Sequence, residues 1–162
     1  MRYLICILPL LLISDGCNKS SNSITPTTNQ TLSTQAVSDS IQYTFAIPKG
    51  VFGIHDTLTA TLTAYNQSSK PETLIVGLNP YLYTWSLKNN SERVIMYGPM
   101  GANNSLRLIP LNPKQSGLLY NIRQAIADTS GAPVAAGSYT LQWDLNNRIT
   151  TLLSFLLNLS LQ

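Results

Sequence analysis

His55 stands directly before Asp56, the two residue types from which a general acid–base pair is most often built. The pair fails as a dyad on geometry, because neighbours on an extended chain project to opposite faces. It is also the only histidine, so no second imidazole exists for a triad or a zinc site. A solvated turn is its expected setting. The carboxylates at Asp39, Asp56, Glu72, Glu92, Asp128 and Asp144 are scattered, and no spacing pairs two of them for glycoside hydrolysis. Asp144 is placed to meet Arg148 across a turn, an ordinary surface ion pair. No catalytic residue, metal site or cofactor follows from these residues, and the chain reads as a non-enzyme.

The residue with the strongest chemical signal is Cys17. One positive charge at Arg2 precedes the apolar run Leu4 to Ile13, too short to span a bilayer comfortably, and the run ends in Ser14-Asp15-Gly16-Cys17. Gly before Cys resembles the lipobox at which bacterial signal peptidases cut before the cysteine is lipidated, although Ser14 replaces the usual Leu. Cys6 lies inside the leader and would leave with it, so no disulfide is expected. Each buried methylene of an acyl chain contributes about 0.8 kcal/mol, so a diacylated cysteine holds a protein on a membrane. The expected location is the cell envelope, periplasmic or surface-exposed, anchored to the membrane through Cys17.

Aromatic residues offer a different chemistry. Tyr81, Tyr83 and Trp85 alternate along one segment and would form a sugar-binding platform if exposed, but the alternation fits a buried face better. Apolar side chains between glycines are better candidates for partner contact: Val51 and Phe52 between Gly50 and Gly53, and Tyr97 and Met100 before Gly101. The partner expected there is a protein, a proteinase or another envelope component.

The elements that must position these residues are all strands. Residues 1–16 read as a signal peptide, and residues 17–39 as the lipidated cysteine plus a Ser/Thr/Asn tether with almost nothing to bury. Residues 40–162 read as one domain. Within it Tyr43, Phe45 and Ile47 share a face. Leu58, Ala60, Leu62 and Ala64 point inward while Thr57, Thr59, Thr61 and Thr63 face water. Tyr139, Leu141, Trp143 and Leu145 alternate in the same way, as do Leu153, Phe155, Leu157, Leu159 and Leu161, with Leu152 and Leu156 suggesting a second covered face at the start of that strand. A helical turn is expected over 122–127. About 7–9 short strands spaced by polar turns predict an all-β, immunoglobulin-like antiparallel sandwich. With 44% hydrophobic and only 10% charged residues, solubility must come from neutral polar side chains, and a net charge of +3 without a basic run excludes nucleic acid as a partner.

The stretch from about Gly53 to Leu145 resembles the BsuPI type of intracellular proteinase inhibitor domain. The resemblance rests on Tyr65-Asn66 before a Ser-containing turn and Pro71, on the aromatic strand Tyr81 to Leu87, on the turn Leu111-Asn112-Pro113-Lys114-Gln115, and on Gly131-Ala132-Pro133-Val134-Ala135-Ala136-Gly137-Ser138-Tyr139-Thr140. It implies an immunoglobulin-like fold and, as a second function, proteinase inhibition. Lys114 stands where that turn usually has glycine, and Leu118 to Ile122 lacks the family's tryptophan. Gly131 and Gly137 are expected to supply positive φ around a small loop, with the Tyr139 ring planted in the sandwich.

Overall fold

The computed structural model describes residues 30–77, 83–98, 106–146 and 152–162. Eleven strands are formed, β1 (Leu32–Ser38), β2 (Ile41–Ile47), β3 (Val51–Phe52), β4 (Thr57–Asn66), β5 (Glu72–Gly77), β6 (Tyr83–Asn89), β7 (Val94–Gly98), β8 (Leu106–Leu111), β9 (Ser116–Ala125), β10 (Gly137–Asn146) and β11 (Leu152–Leu161). Among the described residues there is no helix. One sheet has the order β1-β2-β4-β9 and the other β3-β11-β10-β6-β7, while β5 and β8 form a separate two-stranded ribbon. This is the order of an immunoglobulin-like sandwich, with β2, β4 and β9 in one layer facing β11, β10, β6 and β7 in the other.

The alternation read from the sequence builds the core. Phe45, Leu58, Leu62, Leu87, Leu141 and Trp143 are fully buried, and the inward faces of the two sheets meet on an aromatic cluster. The Phe45 ring packs edge-on to Trp143 at 5.3 Å, and Tyr83 stacks on Trp143 at 5.1 Å. Tyr120 closes against Tyr83 at 4.1 Å. Each such pair contributes about 0.5–1.5 kcal/mol beyond area burial.

Several expectations are corrected. The sheet begins at Leu32, inside the segment read as tether: β1 pairs along its whole length with β2, from Leu32 opposite Ile47 to Ser38 opposite Ile41, and Leu32 and Ala36 pack at the margin of the core. Val51 and Phe52 are not a flexible loop either, since β3 runs parallel to the end of β11. These two strands bring the count to eleven, above the 7–9 expected. No helical turn forms over 122–127, because β9 continues to Ala125 and the Ile126 N–H donates to the Asp56 carbonyl at 3.0 Å. Leu156 is 57% exposed, so β11 is covered on one face there.

β9 carries a bulge opposite Leu62 and Thr63, which leaves Leu119 without a counterpart on β4. Arg107 of β8 uses the guanidinium to donate to the Leu119 carbonyl at 3.0 Å, so the ribbon caps that irregular edge. Gly117 makes the approach possible, because a Cβ there would press on Leu111 and Ile109.

Candidate functional site

Two loop clusters are held rigidly by buried or multiply bonded side chains. At one end Asn66 has no solvent exposure. Its amide donates to the carbonyls of Lys70 at 2.7 Å and Leu111 at 3.0 Å, while its carbonyl accepts from the Ser68 N–H at 2.9 Å. Backbone bonds join the same residue to the β8–β9 turn, Asn66 N–H to the Gln115 carbonyl and Lys114 N–H to the Asn66 carbonyl. The turn places Lys114 at φ 62°, where a side chain is strained. Lys114 thus holds, without glycine's freedom, a conformation that glycine would adopt without strain.

The second cluster is the loop before β10. One Asp128 oxygen accepts from the Ser130 N–H at 2.8 Å, the Ser130 hydroxyl at 2.6 Å and the Ala132 N–H at 2.8 Å. Gly131 has φ 83° and Gly137 φ 153°, as the sequence predicts. Val134 is buried as an anchor, and the Tyr139 hydroxyl donates to the Ala135 carbonyl at 2.7 Å. A tyrosine at the start of this strand bonding back a few residues upstream is the tyrosine corner of immunoglobulin-like sandwiches. Residues 129–133 are thus exposed on a fixed frame.

The residues singled out from sequence are not brought together. Cys17 and Met100 lie outside the described residues, as do Tyr81 and Arg148. Val51 and Phe52 are 8% and 1% exposed and offer no contact surface, a correction whose cause is their pairing with Ser160 and Leu161. Tyr97 is 49% exposed on β7, at the edge of the five-stranded sheet. Tyr83 and Trp85 are buried, so they form no sugar platform.

Asp56, Asp128 and Asp144 are tied to local structure. His55 is exposed in the turn before β4. Asp56 forms an ion pair with Lys49 at 2.6 Å and accepts from the Gly53 N–H at 2.9 Å, contacts that hold its carboxyl below the usual range. The Ser130 hydroxyl, then the Ala132 N–H, lower Asp128 in the same sense. Asp144 accepts from Gln142 and, at 2.7 Å, from the Ser154 hydroxyl. Burial, and next the neighbouring Tyr120, push the Tyr83 phenol up to about 12. Among the described residues no cluster of three His, Cys, Asp or Glu could hold a metal ion.

No family model matches the chain, and no curated protein does. Solved structures do. A β-glucosidase from Erythrobacter marinus is 10% identical with a TM-score of 0.44, and a β-glucosidase from Listeria innocua in complex with isofagomine is 7% identical with a TM-score of 0.42. Each match covers 82% of this chain but only 16% of the glucosidase.

The sequence reading missed one surface. On the β5–β8 ribbon Ile75 stands opposite Leu108 and Gly77 opposite Leu106, so these side chains share a face. Ile75 is 56%, Leu106 53% and Leu108 63% exposed. Apolar residues were visible in both segments, but Leu74-Ile75-Val76 is an unbroken apolar run, and nothing local says that the two strands pair with each other or which face turns outward.

Proposed function

We propose that this chain is a non-catalytic cell-envelope lipoprotein, held on the membrane through Cys17, whose immunoglobulin-like domain serves as a protein-binding or structural module. The observation that carries the binding role is the aliphatic face of Ile75, Leu106 and Leu108, exposed on a ribbon that pairs as its own two-stranded sheet. The acids support a non-catalytic reading, since Asp56 and Asp128 each commit one carboxylate oxygen, and Asp144 both, to local bonds. The test is a hydrolase screen on the purified protein, expected to show no turnover. An activity abolished by substituting one carboxylate overturns the reading.

Proteinase inhibition of the BsuPI type is the second reading, favoured by the exposed segment 129–133 on its fixed frame. It predicts stoichiometric slowing of a serine proteinase, lost when Asp128→Ala frees the loop. No inhibition across a broad proteinase panel at micromolar folded protein removes it.

A further inference from the structure

β2 stops at Ile47 because Pro48 follows, and its last partner on β4 is Thr61, opposite Ala46. β4 extends further, to Thr57, with only β9 alongside. The outer face of the four-stranded sheet is therefore notched, and the notch is a groove of about 570 Å³ walled by Pro48 on one side and Arg123 on the other. That volume lies within the roughly 300–1,000 Å³ of small-molecule sites. Thr59 is directly opposite Arg123 and Thr61 opposite Asn121, so a row of hydroxyls spaced about 6.7 Å apart runs beside an amide and a guanidinium.

These groups are unengaged. Among the described residues none of Thr57, Thr59, Thr61, Asn121 or Arg123 makes a side-chain hydrogen bond or ion pair, and no acid lines the groove. Hydroxyls and an amide both donate and accept, as sugar hydroxyls do, while the methyls of threonine and the Pro48 ring present apolar surface to sugar C–H groups. The uncompensated charge of Arg123 selects an anion.

We infer that this groove binds an acidic sugar, a pyranose unit bearing a carboxylate or phosphate, with Arg123 on the anionic group and Thr57, Thr59, Thr61 and Asn121 on the hydroxyls. The site is independent of the proposed protein-binding face, which lies on the other ribbon. The test is an NMR titration of the full chain in detergent with four probes: a galacturonate oligomer, a mannose 6-phosphate, a neutral galactose oligomer and polyglutamate. Saturable shifts at Thr59 and Arg123 with an acidic sugar support the site, and which acidic probe acts identifies the anionic group. Arg123→Gln weakens binding roughly tenfold or more, and Thr59→Val with Thr61→Val by about fivefold, magnitudes set by charged and neutral hydrogen bonds. Both variants keep the thermal midpoint of the parent, which separates lost binding from lost folding. Equal binding of polyglutamate or of the neutral oligomer, or no saturable shift at millimolar sugar, overturns the inference.

Discussion

Asn66 is a polar side chain in a place where only a fully bonded one survives. Its three side-chain bonds tie the end of β4 to the turn at 67–71 and to β8. Asn66→Ala takes the side-chain donor from the buried Leu111 carbonyl, while the Lys70 carbonyl keeps the Ser68 hydroxyl at 2.8 Å, a loss of about 1–3 kcal/mol that a urea titration will register as a lower midpoint. Lys114 gives the opposite sign. At φ 62° its side chain is strained, and Lys114→Gly should raise stability by up to about 1 kcal/mol, even though the exposed bond from the Lys114 ammonium to the Gln67 carbonyl is lost. Both residues were visible in the sequence as parts of turns, but not their meeting, because the bonds between them cross more than forty residues of chain. Asp128 carries a pH prediction. Its carboxyl is held below its unfolded value, so its contribution is present above about pH 4 and is lost as pH falls through the folded value. In Asp128→Asn the acid limb of a melting-temperature profile becomes shallower, while the neutral region keeps its slope.

The elements divide by how much of their character is written locally. β4 and β10 were legible because one face is apolar and the other polar, and a slip of one residue would turn the whole apolar set outward. β1 was illegible because it is an edge strand of Ser, Thr, Gln and Ala that contributes mainly backbone bonds, with only Leu32 and Ala36 reaching the core margin. Its turn hides as well. Asp39 and Ser40 have φ of 50° and 66°, the two successive positive values of a type I′ hairpin, without the Asn-Gly that would announce it. The double substitution Asp39→Asn, Ser40→Gly should therefore stabilise the β1–β2 hairpin by about 1 kcal/mol, checked by slower amide exchange at β1 and a higher denaturation midpoint. β3 escaped notice for its brevity, and the exposed ribbon because strand choice between β5 and β8 is made across two intervening strands rather than by any local pattern. The candidate groove has the same origin: the outward threonines were readable, but the early end of β2 and the register that sets Arg123 opposite Thr59 belong to the assembled sheet.

At the scale of the whole molecule, the proposed lipoprotein reading makes the sandwich and the anchor separable devices. Every fully packed residue of the core lies at or after Ile41, and Leu32 and Ala36 are the earliest to touch it. Cys17 lies well before them in sequence, and the polar composition of 18–31 supplies no apolar side chain but Ile24 that could join that core. Attachment through an acylated Cys17, as proposed, would by contrast depend on acyl burial at about 0.8 kcal/mol per methylene, with no contribution required from the sandwich. Cys17→Ser should thus release the protein from the membrane fraction while leaving its unfolding midpoint and the near-ultraviolet signature of the Tyr83–Trp143 stack unchanged. Metabolic labelling with a palmitate analogue, run beside fractionation of the parent and the variant, measures both halves of the claim. A parent that takes up no label, or a leader-cleaved variant that stays with the membrane, means that something other than an acylated Cys17 holds the domain in place.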